Sequence, residues 1–336
     1  MSGEPIRWYR SEAPLAPQAA PRPSMSRSIR NWLRGRLPEP DVRDRTLVLY
    51  ARQGFRPSSG WAGMFSEFHS VLGALAYAEA NGAAGVRVDF RSPLYLDRDR
   101  GPNWWTYFFL RAYMTVRSAP ADPAELHLNG VFGKYGRHGG FCDVVNGRTP
   151  YLYPMTYGLS RSEVNRLLET HIEVRPEIRE EARRIVAAFE RDAFVIGVHF
   201  RGTDSTHGPG GALVDYRTTP VPYAAYASEV RRALESAAPR RYQVVVATDE
   251  IEFLAFMRKE FGDQVLAVED APRVHAGGTA IHFDRSLAVS NYQKGKSGLI
   301  DCLLLAATNY LVKGRSNLSD ASLAFNPRLP YSFCVQ

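Results

Sequence analysis

The chain has 336 residues and a mass of 37.6 kDa, so we expect two domains, with one large domain as the alternative. Its composition, 45% hydrophobic and 23% charged, is that of a globular protein and excludes disorder throughout the chain. The net charge is +7, but residues 1–44 contribute +3 of it through eight Arg against five acidic residues. The remainder is too weakly basic to favour a nucleic-acid surface.

Three further features narrow the class of protein. No window approaches the roughly 18 to 20 consecutive apolar residues that a membrane-spanning helix needs. The cysteines, Cys142, Cys302 and Cys334, are far apart and form no Cys-x-x-Cys pair, which excludes a disulfide scaffold and a cysteine-rich zinc site. Residues 1–10 lack the apolar core of a secretory signal. We therefore expect a soluble, cytoplasmic protein without a membrane span.

The first 44 residues differ from the rest. They hold seven of the 22 prolines, which predicts a largely irregular, Arg-rich tail over 1–44. Within it, residues 26–37 favour a short basic helix that either lies on the folded body or binds a membrane surface.

A βαβ unit opens the folded part. The apolar run 46–50 predicts a buried strand, and apolar residues with helical spacing from Met64 predict a helix that Asn81 and Gly82 end. The alternating run 86–90 predicts the next strand. Region 100–160 is rich in aromatic residues and glycine and predicts irregular structure.

A second, more regular alternation follows, with a helix that begins at Pro176. The later predicted strands are 194–200, 242–247, 264–268 and 310–312, and the later helices are 222–237, 250–261 and 297–309. These patterns predict an α/β protein with two Rossmann-like, doubly wound domains that face a cleft. Their predicted limits are residues 45–180 and 181–336.

Ligands bind beyond the carboxyl ends of the strands in doubly wound sheets, and three loops there carry chemistry. In the first, which begins at His199, Gly202 lets the backbone approach a ligand and the guanidinium of Arg201 matches a phosphate. Asp204 either accepts a proton from a hydroxyl or holds Arg201 in a structural ion pair.

The second and third loops offer carboxylates and a helix start. Thr248 or Asp249 either caps the next helix or faces the cleft. Asp301 lies in an otherwise apolar helix, either on a solvated face or buried for a purpose. A carboxylate of this kind suits guanine, which presents two adjacent N–H donors. The loop with Ser316 and Asn317 leads into a helix, whose N-terminal amides bind phosphate.

The three loops occur in the order and at the intervals of a known family. The run 196–204, IGVHFRGTD, resembles the first motif (His-x-Arg-x-x-Asp) of the α-1,6-fucosyltransferases, whose superfamily includes the protein O-fucosyltransferases. The run 246–250 is similar to the second motif and the stretch 296–317 to the third. More weakly, Gly60–Gly63 resembles the Gly-rich turn that opens the family's first domain.

The resemblance implies a GT-B type fold, with an acceptor-side domain first and a GDP-sugar-binding domain second. It also implies GDP-fucose as donor and an inverting transfer without metal or other cofactor. By position in the motifs, Arg201 would bind the diphosphate and stabilise the leaving group, and Asp301 would recognise guanine. The remaining donor-site residues would be His199, Gly202, Asp204, Asp249, Ser316 and Asn317, of which Ser316 and Asn317 would contact phosphate.

Two departures from the family pattern bear on the acceptor and the linkage. Gly202 stands where the α-1,6 enzymes often have a second Arg, and Pro209 and Gly210 stand where some carry a carboxylate. The general base would be Asp204 or Glu67 of the facing domain, or none.

Candidate acceptor-side residues lie in the first half. They are Glu67, His69, Trp104 and Trp105, although for the two indoles the pattern favours a core over a sugar site. The Asp-x-Asp at Asp97–Asp99 could hold a metal-bound diphosphate, but its Arg neighbours favour a solvated loop.

These observations lead to one main hypothesis, transfer of fucose from GDP-fucose to a hydroxyl of a glycan. Another GDP-sugar, or a protein Ser/Thr acceptor, would keep the same fold. A basic nucleic-acid-binding protein on a degenerate transferase fold is the alternative of a different class, and the weak basicity of residues 45–336 does not favour it.

Overall fold

The structure is a computed structural model. It describes residues 41–51, 62–117, 123–128, 159–202, 221–314 and 316–334. Val42–Gln336 forms one compact unit, which contains two separate β-sheets. The description below concerns that unit, and the predicted division between residues 180 and 181 stays a prediction.

The first sheet has four short strands in the order β3-β2-β1-β4. They are β1 (Thr46–Tyr50), β2 (Gly85–Asp89), β3 (Tyr113–Thr115) and β4 (Glu125–Leu128). β1 pairs in parallel with β2 and β4, whereas β3 pairs antiparallel with β2. The prediction of irregular structure over 100–160 is therefore wrong for β3 and β4, because pairing with the central strands decides their conformation.

Helix α1 (Met64–Asn81) connects β1 to β2 and completes the predicted βαβ unit. It ends where the sequence predicts, at Gly82, whose φ of +70° is left-handed and favours glycine. Most of the helix is buried, including its apolar residues Phe68, Leu72 and Leu75.

The second sheet has five parallel strands in the order β7-β6-β5-β8-β9. They are β5 (Phe194–Phe200), β6 (Tyr242–Thr248), β7 (Val265–Leu266), β8 (Tyr310–Lys313) and β9 (Tyr331–Phe333). β5 and β6 are almost continuously apolar and buried, as expected of strands covered on both faces. The predicted parallel alternation is confirmed here, with β7 shorter than predicted.

Eight α-helices accompany the sheets among the described residues. Besides α1 they are α2 (Trp105–Phe108), α3 (Arg161–His171), α4 (Pro176–Ala187), α5 (Tyr223–Ala237), α6 (Ile251–Phe261), α7 (Asn291–Ala306) and α8 (Asn317–Phe325), with 3-10 turns at Arg98–Arg100 and Gly262–Gln264. α7 begins six residues before its predicted start, because the Ser290 hydroxyl accepts a hydrogen bond from the Gln293 amide and caps it.

One hydrophobic core cluster includes residues of both sheets, such as Leu47 and Val86 from the first and Val195 and Val245 from the second. Helix α7 contributes Leu299 to the same cluster. α7 also reaches the aromatic residues of the first half, where Tyr292 stacks on Phe108 with ring centroids 5.6 Å apart. This shared packing fixes α7, and with it Asp301, against the rest of the unit.

Candidate functional site

Three predicted loops leave the second sheet at one edge. His199 of β5 is paired with Ala247 of β6 and with Lys313 of β8, so these parallel strands end at nearly the same level. The chain runs from β5 outward through β6 to β7, and then continues on the other side of β5 with β8 and β9. This change of direction between β5 and β8 opens a crevice of the kind that binds ligands. Arg201, Gly314, Ser316 and Asn317 follow the ends of these two strands.

The first two loops are joined by a direct hydrogen bond. The Gly202 amide donates to Asp249 Oδ1 over 2.9 Å. The cap of α6 predicted for Asp249 is not present, because the N-cap position is Glu250 and no side chain caps there. Asp249 instead holds the backbone that carries the half-buried Arg201 at the end of β5. The first two predicted loops are therefore in direct contact, through Gly202 and Asp249.

Sequence reasoning missed Glu250, which explains why position 202 is glycine. The Glu250 carboxylate is buried and accepts a hydrogen bond of 2.6 Å from the Tyr223 hydroxyl. A Cβ on Gly202 would overlap Oε1 and Cδ of this carboxylate, and even Oε2 would be only 2.6 Å away. Burial raises the pKa of Glu250, although the Tyr223 hydrogen bond opposes the rise. A larger residue at 202 would require this glutamate side chain to move.

Two buried basic residues lie beneath the loops. His199 is 5% exposed, and burial, Arg201 and Lys313 together lower its pKa to about 3, so the imidazole is neutral. Lys313, 2% exposed, pairs with Asp320 of α8 over 2.8 Å and lies 4.8 Å from the centre of the Phe333 ring. The sequence signal that could have predicted this ion pair is Lys313 itself, a lysine at the end of the otherwise apolar strand β8, because a buried lysine needs a charged partner.

The third loop is fixed from both halves of the unit. The Ser316 hydroxyl accepts a hydrogen bond of 3.3 Å from the Leu318 amide and caps α8. His69 of α1 donates from Nε2 to the Asn317 carbonyl over 3.0 Å. Lys313 and Asp320 tie the first turn of α8 to β8. The start of α8 is thereby held beside the end of β8, and a helix N-terminus favours an anion.

Asp301 lies on α7, half-buried among the apolar residues of that helix. Burial raises its pKa from an ordinary 3.8 to about 7, and the positive charge of Arg273 acts in the opposite direction. The environment of Asp301 is therefore intermediate between the two that the sequence left open. Arg273 was not predicted, since it lies in the long loop after β7, which has no periodic pattern.

The candidate acceptor-side residues are buried. Glu67 is 1% and His69 2% exposed, and the indoles of Trp104 and Trp105 are inaccessible. Trp104 Nε1 donates to Ser92 Oγ over 2.9 Å, and Trp105 Nε1 donates to a backbone carbonyl over 2.8 Å. With their polar atoms used inside the protein, these rings lie in the core, where a sugar cannot stack on them.

The Asp-x-Asp sequence has a structural role. Asp97 Oδ2 accepts a hydrogen bond of 2.8 Å from the Tyr292 amide in the first turn of α7. Arg98–Arg100 forms an exposed 3-10 turn, and the Arg100 guanidinium lies 3.6 Å from the centre of the Tyr292 ring. These contacts join the turn to α7.

Some predicted features lie outside the described residues: Asp204, Gly60, Pro209, Gly210 and the tail up to residue 40. Among the described residues, no three His, Cys, Asp or Glu side chains lie together as a metal site would need. None of the described helices is long and apolar enough to cross a membrane.

The structure is similar to crystal structures of NodZ α-1,6-fucosyltransferase. One, co-crystallised with GDP, has 18% sequence identity and a TM-score of 0.51, over 85% of this chain and 93% of that chain. Another, NodZ from Bradyrhizobium, has 17% identity and a TM-score of 0.50, over 85% and 94%. A crystal soaked with GDP-fucose gives 18% and 0.50 over the same shares. The chain thus has the fold of these proteins, which confirms the predicted α/β fold of GT-B type.

No protein-family model matches the chain, and no curated protein matches it in sequence. At 17 to 18% identity, the likeness to NodZ concerns the fold, and the chemistry must be argued from the site itself.

Proposed function

We propose that the protein is a glycosyltransferase that moves fucose from GDP-fucose to a hydroxyl of a glycan acceptor. The observation that carries the proposal is that β5 and β8 are paired in register, so that the loop with Arg201, whose neighbour Gly202 bonds Asp249, and the start of α8 follow adjacent strand ends. The same fold in NodZ has been crystallised with GDP and soaked with GDP-fucose, which supports a GDP-sugar as the donor.

The diphosphate would lie between Arg201 and the start of α8. Arg201 offers a planar fork of N–H donors that suits phosphate oxygens, and Ser316 and Asn317 bring the partial positive end of the helix to the same crevice. Because Gly202 is held by Asp249, the position of Arg201 relative to this helix is fixed before the donor binds. A preorganised cation of this kind stabilises the charge that develops on a leaving diphosphate.

The transfer that we propose is inverting and independent of metal. An acceptor hydroxyl attacks the anomeric carbon from the face opposite the diphosphate. Arg201 and the α8 amides stabilise the negative charge that develops on the leaving diphosphate. Since Glu67 is 1% exposed, it is poorly placed to contact an acceptor, which leaves Asp204, or no general base, for the proton of the acceptor hydroxyl. Full activity in EDTA is expected, and loss of activity that manganese or magnesium restores would overturn the metal-free mechanism.

The proposal is tested first by binding. Stabilisation against thermal unfolding by GDP, and not by ADP or UDP, is expected, followed by slow hydrolysis of GDP-fucose without acceptor. A wider screen of GDP-sugars decides whether fucose is the preferred sugar. Retention on heparin without any preference among nucleotides would instead support the nucleic-acid-binding alternative.

The role of Arg201 is tested by substitution. Arg201→Lys keeps the charge but loses the two-pronged geometry, so turnover should fall about 100-fold or more. Arg231→Lys is the matched control, because Arg231 is an exposed arginine on α5 that pairs with Glu260. A fully active Arg201→Lys protein, or one that simply unfolds, would make Arg201 a structural residue.

A further inference from the structure

Lys313 ends strand β8 between two neighbouring strands. On one side it is paired with His199 of β5, and on the other its carbonyl accepts a hydrogen bond of 2.8 Å from the Cys334 amide, directly after β9. The backbone that presents the Lys313 side chain is therefore held from both sides. The residue is only 2% exposed, although lysine is one of the residue types that are least often buried.

The carboxylate of Asp320 on α8 compensates the buried ammonium of Lys313. Nζ donates to Asp320 Oδ1 over 2.8 Å, and it lies 4.8 Å from the centre of the Phe333 ring and 5.6 Å from that of Tyr331. With side-chain exposures of 2% for Lys313 and 19% for Asp320, solvent screens the pair little. Each charge therefore depends on the other for compensation.

Asp320 lies in the first turn of α8, where its amide donates to the Ser316 carbonyl over 3.0 Å. A carboxylate at this end of a helix is stabilised by the positive end of the helix dipole. The proposed diphosphate would lie at the same end and would use the same partial positive charge. An uncompensated Asp320 would therefore repel the diphosphate and compete with it for the amides of the first turn.

We propose that Lys313 is a positioning residue for the donor diphosphate, because it holds the Asp320 carboxylate at the end of β8 and neutralises its charge. The first turn of α8 then keeps the acidic residue without presenting a net negative charge to the diphosphate. Lys313 acts through Asp320 and needs no contact with the donor. This inference rests on the proposed function, in which the diphosphate lies between Arg201 and the start of α8.

The experiment compares the affinities for GDP and for guanosine by calorimetry, with urea unfolding of each variant under the same conditions. In Lys313→Met the charge of Asp320 is uncompensated, so GDP affinity should fall about tenfold. Guanosine carries no phosphate, so its affinity should change little. In Asp320→Asn the negative charge is gone, so GDP should bind as tightly as to wild type or more tightly. That variant should nevertheless be less stable, because Lys313 has lost its partner.

Two further variants separate this role from the general loss of an ion pair. The double variant Lys313→Met/Asp320→Asn removes both charges, so it should recover most of the GDP affinity that Lys313→Met loses. Arg166→Met is the control, because it breaks the ion pair of Arg166 on α3 with Glu79 on α1. It should bind both GDP and guanosine like wild type.

The outcomes are distinct. If the pair only fastens α8, both single variants would weaken GDP binding alike, and that result would overturn the inference and leave the proposed function standing. Unchanged GDP affinity in Lys313→Met would do the same. Wild-type protein that binds no GDP would overturn the proposed function, and the role of Lys313 with it. If Lys313→Met does not fold, Asp320→Asn decides: GDP affinity at or above that of wild type supports the inference, and a fall overturns it.

Discussion

Substitution of Gly202 tests whether the donor loop is shaped by Glu250. In Gly202→Ala the new methyl group would occupy the place of the Glu250 carboxylate. The carboxylate ends a flexible side chain, but it is buried and held by the Tyr223 hydroxyl over 2.6 Å. Either the carboxylate moves and loses this hydrogen bond, or the backbone of residues 201 and 202 moves and carries Arg201 with it.

Both responses have a known cost. A hydrogen bond to a charged group contributes about 1.5 to 3 kcal/mol, and overpacking a filled site costs about 1 to 3 kcal/mol. Since relaxation relieves part of each, we expect Gly202→Ala to lower the free energy of unfolding by about 2 to 4 kcal/mol. GDP affinity should fall as well, because the Gly202 amide would no longer meet Asp249 at 2.9 Å.

Urea unfolding and GDP titration measure the two effects. Gly298→Ala in helix α7 is the matched control, since its Cβ would lie 3.6 Å from Cε2 of Phe65 on α1, which is an ordinary van der Waals contact. That change should be neutral, or stabilising by up to about 1 kcal/mol. The double variant Gly202→Ala/Glu250→Ala removes the overlap and should be less destabilised than the sum of the single changes. A Gly202→Ala protein as stable as Gly298→Ala, with unchanged GDP affinity, would refute the reasoning.

Three other predictions concern buried groups near the site. The folded-state pKa of Asp301 is raised to about 7, so the free energy of unfolding of the wild type should fall as the pH rises from about 4 to about 7. Asp301→Asn should remove this slope and be more stable than wild type above pH 7, by at most about 4 kcal/mol in urea unfolding. The pKa of His199 is lowered to about 3, so its neutral form contributes stability that is lost as the pH falls from about 6.5 towards 3, and His199→Gln should flatten this acid limb in the same assay. In Gly295→Ala a Cβ would overlap the ring of Phe108, so thermal unfolding should show a loss of about 1 to 3 kcal/mol that Gly298→Ala does not share.

The sequence determined the second sheet because its information there is local. The apolar runs over β5 and β6 are typical of parallel strands covered on both faces, and the residues after them are polar. Parallel strands bring their carboxyl ends to one edge, so Arg201, Asp249 and Ser316 were predicted together without coordinates. The capped end of α1 at Gly82 followed from the same kind of local signal.

Contacts between distant parts of the chain were decided by the tertiary structure alone. His69 meets the Asn317 carbonyl across 248 residues of sequence, and no periodic pattern connects the two. The indoles of Trp104 and Trp105 suit both a core and a sugar site by residue type, and the packing shows that the favoured reading, the core, is right. β3 and β4 are short and became strands through their neighbours in the sheet.

The protonation and the space at the site likewise depend partly on the sequence and partly on the tertiary structure. The sequence supplied Asp301 as a carboxylate in an apolar helix, but burial raises its pKa, and Arg273 on a loop without periodicity opposes that rise. Likewise, the sequence supplied a glycine at 202, but the atoms beside it belong to the carboxylate of Glu250, which lies between β6 and α6. Hydrophobic spacing along the chain fixes which segments become strands and helices, whereas the protonation and the space at each site depend on atoms that only the packed fold brings together.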